Sequence, residues 1–280
     1  MSASTSENST LSDQLRSWVL ALMPAWRAEH LGGFIYLEGG YSNRNYRFSY
    51  EGGVYVLRAP IRPRPFVDRE RELAFYRTAQ VPDLPDVLAF DVASGRMITR
   101  WVEGPLLTDV TVQPEDAVDY LQALHRVLPA TDRRYDPVQQ ARENLAAFHA
   151  PAWVARLADN CRMQTTAVAP CHNDLNPWNV ILSPDRSRWI TLDWEWFGNN
   201  DPLFDLVTLH QGLAFAESAL PEMARALLGE PVSDGRLIGC LTAFWLREYS
   251  FAGAEVAAGD TRAELAEQRD LGESRLRALR

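Results

Sequence analysis

The sequence of 280 residues predicts an α+β protein with two lobes, a small lobe built on an antiparallel sheet and a mainly helical lobe. In roughly the first hundred residues, short runs typical of strands are separated by glycine-containing turns, which favours hairpins. After the break Glu103-Gly104-Pro105 the longer segments predict helices. The predicted divisions are a disordered tail at 1–10, a sheet lobe at 11–103 and a helical lobe at 104–280.

The sheet lobe opens with a short helix that Pro24 closes. Gly39-Gly40 and Gly52-Gly53 separate the first three predicted strands, and Ser94-Gly95 separates the last two. In order, the predicted elements of this lobe are a helix at 15–23, strands at 34–38, 45–50 and 54–59, a helix at 68–80, and strands at 87–92 and 97–102. In the helical lobe, helices at 114–127, 137–150, 202–215, 235–252 and 262–279 are interrupted by short strands at 169–171, 179–182 and 189–193.

The composition narrows the classes of function. A net charge of −9 without a basic stripe argues against binding to nucleic acid and suits a site for a small cation. Three scattered cysteines without a C-x-x-C pair predict neither a disulfide framework nor structural zinc, and a cytoplasmic location is the simplest expectation. No signal-peptide pattern and no run of about 20 apolar residues is found, so no membrane partner is expected. A monomer and a homodimer remain equally open.

The stretch CHNDLNPWNV, Cys171–Val180, carries the clearest chemical signal. Asp174 lies on a tight loop after a short strand, Asn179 begins the next strand, and Asp193 ends the strand after that. Because a hairpin brings its two ends together, Asn179 and Asp193 should lie side by side with Asp174 nearby. Oxygen ligands of this kind suit Mg²⁺. Asp174 would then be free to accept a proton from a hydroxyl group, which is the division of labour in kinases.

The longer pattern resembles a known family. HNDLNPWNVIL, followed by ITLDWEW and NNDPLFDLV, is similar to the choline/ethanolamine kinase and aminoglycoside phosphotransferase family, and it is closest to bacterial choline/thiamine kinase-like proteins. The order H-x-D-x-x-x-x-N, D-x-E and N-D-P-x-x-D-L is long enough to be specific. The resemblance extends over about residues 37–207 and implies the bilobal protein-kinase-like fold.

The resemblance also implies roles for individual residues. Asp174 corresponds to the catalytic base, and Asn179 and Asp193 correspond to the metal ligands. His172 corresponds to a histidine that packs the loop. Asp205 corresponds to a carboxylate that holds the catalytic loop by hydrogen bonds, so for this residue a structural role outranks a catalytic one.

The sequence contains no lysine, so all 28 basic residues are arginine. Related kinases grip the nucleotide phosphates with a cation on a strand, paired with a glutamate on a helix. Arg58, at the end of the third predicted strand, occupies the expected place, and a guanidinium can bind two phosphate oxygens at once. Glu72 is the first candidate for its partner and Glu70 the rival. The alternative is a solvent-exposed arginine at a sheet edge.

Two further segments are predicted to contact the nucleotide. The glycines before the second strand allow close backbone approach to phosphate, and two neighbouring side chains offer donors. The segment 99–103 corresponds to the hinge beside adenine, where backbone groups recognise the base. The candidates are Gly40, Ser42 and Asn43 in the glycine loop, and Arg100, Trp101 and Val102 in the hinge.

The acceptor site is predicted less sharply. Aromatic ring faces bind quaternary ammonium groups. The resemblance to choline kinases implies such a site, with an aromatic cage and acidic residues. Tryptophans on helices are nevertheless more often core residues, and alternate residues of a strand point in opposite directions. The candidates are Trp194, Trp196, Trp245 and Tyr249 for the aromatic walls, with Glu195 or Glu248 for the negative charge.

Together these patterns predict an ATP- and Mg²⁺-dependent kinase that transfers the γ-phosphate to a hydroxyl of a small cationic alcohol. Choline is the first candidate, followed by ethanolamine and thiamine. An aminoglycoside or other sugar phosphotransferase is the main alternative within the enzymes. A nucleotide-binding pseudokinase is the alternative outside them, favoured by the missing lysine and opposed by the intact acidic set.

Overall fold

The computed structural model describes residues 3–64, 66–165 and 167–280, which form two compact units. The first unit runs to Asp109 and also includes Trp178–Glu195, and the second contains Val110–Pro177 and Trp196–Arg280. The sequence assigned 178–195 to the helical lobe. In the structure, Leu182 N–H donates to the carbonyl of Pro105 at 2.9 Å and Thr191 N–H donates to that of Asp83 at 3.2 Å, which attaches the segment to the first unit.

A five-stranded antiparallel sheet forms the first unit, in the order β1-β2-β3-β5-β4. Each predicted strand of the sheet lobe is present, and Phe48, Leu57 and Ile98 are buried in its core. Arg58 lies on β3, opposite Asn45 of β2 and Met97 of β5. The strands are β1 (Ile35–Leu37), β2 (Asn43–Tyr50), β3 (Gly53–Pro60), β4 (Val87–Asp91) and β5 (Arg96–Arg100).

Two helices accompany this sheet. Helix α1 spans Ala3–Leu22, so the disordered tail predicted for residues 1–10 is replaced by helix from residue 3, and residues 1 and 2 lie outside the described part. Leu15 and Val19 are buried in the core on one side of this helix, and each residue added to an existing helix gains a backbone hydrogen bond. Helix α2 spans Arg69–Thr78 and begins after Asp68, whose side chain accepts a hydrogen bond from Arg71 N–H.

The second unit is mainly helical, as predicted, but it contains two helices and one strand that the sequence did not reveal. Its helices are α3 (Pro114–Val127), α4 (Pro137–Leu145), α5 (Ala152–Asn160), α6 (Pro202–Gly212), α7 (Leu220–Leu228), α8 (Asp234–Ala257) and α9 (Ala263–Ala278). Two short strands of the second unit, β6 (Ala169–Cys171) and β9 (Gly198–Asn200), pair with each other. The other two short strands, β7 (Val180–Leu182) and β8 (Trp189–Thr191), form a hairpin that belongs to the first unit. Helices α5 and α7 and strand β9 were not predicted.

Helix α6 is fixed at its first turn, where it carries Asp205. The side chain of Asp201 accepts a hydrogen bond from Leu203 N–H at 3.0 Å and forms a buried two-point pair with Arg236 of α8 at 2.7 and 2.9 Å. Every residue from Pro202 to His210 is buried, which explains why this helix shows no amphipathic pattern. No helix in the described ranges is both long and apolar enough to cross a bilayer.

Gly104 is expected to tolerate no side chain. Its φ is +136°, and a Cβ would lie 1.8 Å from the carbonyl oxygen of Leu182. We expect Gly104→Ala to lower the free energy of unfolding by about 3 kcal/mol, since it adds a steric clash to an unfavourable backbone conformation. Gly259→Ala is the matched control, because Gly259 has a φ of +93° but nothing within 4 Å of the added carbon. Equal losses for both variants in urea unfolding would contradict this.

Candidate active site

The loop that carries Asp174 is held by a buried carboxylate. Asp205 accepts hydrogen bonds from the backbone N–H groups of His172 at 2.9 Å and Asn173 at 2.7 Å, and it contacts Nε2 of His125 at 2.8 Å. Burial alone would raise the pKa of Asp205, but the hydrogen bonds and charges of the two histidines outweigh it and lower the pKa. Asp205 therefore stays ionised in the core and fixes the loop, as predicted.

The histidine of the motif also acts on the loop backbone. His172 is fully buried, and its Nδ1 accepts a hydrogen bond from the N–H of Asp174 at 3.1 Å. Because a backbone N–H can only donate, this nitrogen must be the unprotonated one of the ring. The imidazole thus packs and orients the loop, in agreement with the prediction.

Asn173 adopts an unusual backbone conformation that its side chain stabilises. Its φ is +71°, and its side-chain amide donates to the carbonyls of Trp196 and Gly198 at 3.0 Å each. Its side-chain oxygen accepts from Asn200 at 2.9 Å. Such conformations cost about 1–3 kcal/mol and persist where the surroundings over-determine them, often at functional sites. The sequence analysis missed this role, although the asparagine beside Asp174 was visible there.

Asp174 is half-buried between β6 and a short 3-10 turn at Pro177–Asn179. One of its carboxylate oxygens lies 3.3 Å from a guanidinium nitrogen of Arg247 in α8. The sequence analysis did not single out Arg247, because a lone arginine in a helical segment carries no signal of its own.

The two predicted metal ligands lie at the open end of the β7–β8 hairpin in the first unit. Val180 pairs with Thr191, and Leu192 N–H donates to the carbonyl of Asn179 at 2.8 Å, which brings Asn179 next to the segment that carries Asp193. Asp193 has a φ of +59° and its side chain is 23% exposed, so its carboxylate remains accessible. Asp174 belongs to the second unit, and its convergence with Asn179 and Asp193 on one metal–nucleotide complex stays a prediction.

Arg58 and Glu72 form the expected ion pair. Two guanidinium nitrogens of Arg58 contact the two carboxylate oxygens of Glu72 at 2.5 and 3.0 Å, and one of them also lies 3.1 Å from Asp193. Burial opposes the charge of Arg58, but Glu72 and Asp193 raise its pKa above the ordinary value. Burial likewise opposes the charge of Glu72, but Arg58 and then Arg69 lower its pKa. The rival partner Glu70 is exposed, so the pairing with Glu72 is confirmed.

A second arginine extends this pair. Nη1 of Arg69 lies 2.6 Å from Glu72 and 2.8 Å from Glu195. Burial, followed by the charge of Asp193, raises the pKa of Glu195 to about 7, although Arg69 opposes the rise. Glu195 was predicted to bind the acceptor, and this is corrected, because its carboxylate is buried against Arg69 inside the first unit. Arg69 was missed, although its i, i+3 spacing to Glu72 was readable.

The predicted aromatic cage is also corrected. Trp194 has no exposed surface, stacks on Phe75 at 4.3 Å and donates its ring N–H to the carbonyl of Thr191. Trp245 and Tyr249 on α8 are 6% and 2% exposed. None of the three offers a free ring face to an ammonium group, because residues on helices and beside strands of a packed domain serve first as core.

The glycine loop precedes β2. A Cβ on Gly40 would lie 2.3 Å from the carbonyl oxygen of Asn43, so only glycine fits there. The carbonyl of Ser42 accepts a hydrogen bond from Ile61 N–H at 3.0 Å. The side chain of Asn43 is 4% exposed, and its oxygen has no hydrogen-bond partner among the described residues. Contact of this loop with phosphate stays a prediction.

In the predicted hinge, two backbone donors are already used. The N–H groups of Arg100 and Trp101 donate to the carbonyls of Asp86 and Val54 at 2.9 Å each. The exposed side chain of Arg100 bonds Asp86 at 2.8 Å. The adenine contacts predicted for Arg100 and Trp101 would therefore have to come from other groups, while Val102 remains a candidate.

Comparison with known proteins places this arrangement in a family. Residues 34–236 match the model of the phosphotransferase enzyme family, APH. Protein LicA of Haemophilus influenzae is 31% identical over 201 residues, which cover 61% of this chain and 56% of that protein. The matched region thus spans little more than half the length of that relative.

Two solved structures share the fold. A choline/ethanolamine kinase family protein from Mesorhizobium loti has a TM-score of 0.66 and 22% identity, covering 95% of this chain and 94% of that one. Choline kinase LicA from Streptococcus pneumoniae has a TM-score of 0.69 and 17% identity, covering 88% and 94%.

The chain therefore has the kinase-like fold of these proteins. It belongs to the phosphotransferase enzyme family, whose model matches more than half of its length. The fold class and the family resemblance predicted from the sequence are both confirmed.

We expect Asp205→Asn to lower the free energy of unfolding by about 3 kcal/mol at pH 7, since it removes one member of a buried charged network. Because the folded pKa of Asp205 is depressed, its contribution is fully present above the unfolded pKa of about 3.9 and is lost as the pH falls through the folded value. The difference from wild type should therefore stay nearly constant from pH 7 to about pH 4 and shrink as the pH falls further in urea titrations. Asp119→Asn, at an exposed position of α3, is the control, and a pH-independent difference for Asp205→Asn would contradict the assignment.

Proposed function

We propose that this protein is an ATP- and Mg²⁺-dependent kinase that phosphorylates a hydroxyl group of a small cationic alcohol, with choline as the first candidate. The observation that carries the proposal is the buried pair Arg58–Glu72 in contact with Asp193. Kinases hold a nucleotide with a cation on a strand, a glutamate on a helix and an aspartate that binds the metal. Arg58, Glu72 and Asp193 would fill these three roles here without a lysine.

The donor set at the hairpin fits magnesium. Asn179 and Asp193 present an amide and a carboxylate oxygen, and Mg²⁺ is held in proteins by one or two carboxylates with water and phosphate oxygens completing its shell. These two residues would hold the ion. When bound, Mg²⁺ neutralises charge on the transferring phosphate oxygens.

Arg58 would orient the phosphates of the nucleotide. Glu72 fixes the guanidinium from the side of α2, so its direction is set before any ligand binds. A guanidinium can contact two phosphate oxygens at once and cannot be deprotonated in a protein, so the replacement of lysine preserves the charge. This pair argues against a pseudokinase, for which the missing lysine was the main support.

Asp174 would accept the proton of the acceptor hydroxyl. Its N–H is bonded to His172, while the preceding residues are bonded to Asp205, so the carboxylate is presented from a fixed backbone. Its half-buried side chain remains accessible to a small alcohol. Most of the rate enhancement would come from positioning and from charge stabilisation.

The acceptor class is supported by the relatives and not by an aromatic cage. The choline kinase from Streptococcus pneumoniae shares the fold, and the net charge of −9 suits a cationic substrate. Glu248 on α8, the other acidic candidate, lies in the same unit as Asp174, but its two carboxylate oxygens are engaged by Arg247 and by Gln268 of α9.

We expect Asp174→Asn to lower kcat by three or more orders of magnitude while nucleotide binding stays within about threefold of wild type, because an amide cannot accept the proton. Steady-state kinetics and calorimetric titration with a nonhydrolysable ATP analogue measure the two effects. Asp159→Asn, an exposed aspartate on α5, is the control. A near-normal rate for Asp174→Asn would remove this residue from the role of base.

We expect Mg²⁺-dependent ATP consumption to be stimulated by choline more than by ethanolamine or thiamine, and least by aminoglycosides. The screen compares kcat/KM for each acceptor and identifies the product by phosphorus NMR. Preference for an aminoglycoside would replace the proposed acceptor class. Nucleotide binding without turnover of any acceptor would favour a pseudokinase.

A further inference from the structure

Arg247 of α8 is a buried arginine that has no role in the proposed mechanism. Its side chain is 7% exposed and lies over the rings of Phe204 and Phe244 at 5.2 and 5.6 Å. One terminal nitrogen donates to the carbonyl of Asn173 at 2.5 Å, and the other lies 3.3 Å from the carboxylate of Asp174. The guanidinium thus contacts the backbone of the strained residue and the side chain of the next one.

Glu248 also stabilises the positive charge of Arg247. Glu248 contacts its Nε at 2.9 Å and its Nη2 at 2.8 Å, and the other oxygen of Glu248 accepts a hydrogen bond from Gln268 of α9 at 2.6 Å. Burial opposes the charge, but Glu248, Tyr135 and Asp174 raise the pKa of Arg247 above its ordinary value. A continuous polar chain therefore runs from α9 through Gln268, Glu248 and Arg247 to Asp174.

We propose that Arg247 is a positioning residue for phosphoryl transfer, which holds the carboxylate of Asp174 and the carbonyl of Asn173 in the orientation required for proton acceptance. This inference rests on the proposed role of Asp174 as the base. It assigns Arg247 no contact with the substrate.

The proposed role of Arg247 depends on the shape of the guanidinium as much as on its charge. The peptide of Asn173 is held at its N–H by Asp205 and at its carbonyl by Arg247, so its conformation is fixed from both ends. Arg247 reaches a backbone oxygen, Asp174 and Glu248 with three different nitrogens in one plane. A lysine ammonium carries one nitrogen and cannot span these partners, so charge alone would not restore the arrangement.

The described contacts of Arg247 give it no assigned part in binding the nucleotide. They include Asp174, Asn173, Glu248, Tyr135 and aromatic residues of α6 and α8, whereas the residues proposed to hold the phosphates and the metal, Arg58 and Asp193, belong to the first unit. Loss of Arg247 should therefore change kcat and leave the affinity for ATP unchanged. A purely structural arginine would instead change stability without this separation.

The test compares Arg247→Lys and Arg247→Met with wild type in the full-length protein. We expect kcat to fall about 100-fold in both variants, because a misplaced catalytic group costs about this factor. The KM for ATP and the affinity for a nonhydrolysable ATP analogue should stay within about threefold. Arg275→Met is the matched control, since Arg275 also lies over an aromatic ring but is 44% exposed and pairs with Glu217 away from Asp174. A folded Arg247→Lys variant with kcat within threefold of wild type would overturn the proposal.

A second variant keeps the test decisive if substitution of Arg247 prevents folding. Glu248→Gln removes the partner that orients Arg247, and we expect it to lower kcat about tenfold with little change in the acceptor KM. A rise in acceptor KM with unchanged kcat would overturn the proposal, because Glu248 would then act on the acceptor directly.

The double variant Asp174→Asn/Arg247→Lys separates this inference from the proposed function. If Arg247 acts through Asp174, the double variant should be no slower than Asp174→Asn alone, since nothing remains to be oriented. A further loss of 10-fold or more would overturn the inference. If Asp174→Asn itself turned over normally, the proposed base would fail, and the inference would fail with it.

Discussion

The loop that carries Asp174 depends on one buried carboxylate, that of Asp205. A negative charge in a protein core is costly unless hydrogen-bond donors surround it, and here two consecutive backbone N–H groups and His125 do so. The same hydrogen bonds that keep the charge in place hold Asn173 in a left-handed conformation that a free peptide would leave. The direction of Asp174 is therefore set by the interior of the helical unit, through Asp205 on α6 and Arg247 on α8.

In the sheet unit, two guanidinium groups face three carboxyl groups. Arg58 and Arg69 are both in contact with Glu72, while Asp193 and Glu195 lie at the two ends of the cluster. Burial, followed by the charge of Asp193, raises the pKa of Glu195, and an excess of carboxyl groups would suit a divalent cation. Because α2, β3 and the segment after β8 each contribute residues to the cluster, the orientation of its polar groups depends on how these elements pack.

The sequence revealed what short-range patterns determine. Alternation and glycine turns predicted all five strands of the sheet. The spacing of two aspartates and an asparagine pointed to Asp174, Asn179 and Asp193. Helix α5 was hidden because the sequence after α4 reads as its continuation, whereas α6 was predicted although it is buried all round and has no amphipathic pattern. Trp194 and Glu195 were misassigned because their burial depends on tertiary contacts with Phe75 and Arg69, and these contacts cannot be read from the local sequence. Arg247 lies more than 70 residues from the residue whose carbonyl it bonds, so no local pattern could connect them.

The absence of lysine extends beyond the position of Arg58, since these 280 residues offer no side-chain amine at all. Reagents that acylate amines would find none to modify on Arg58. Acetylation and ubiquitination of lysine side chains are likewise closed to this sequence as means of control. Covalent reagents for this enzyme would have to target other chemistry, and the three cysteines are buried and therefore poorly placed to serve.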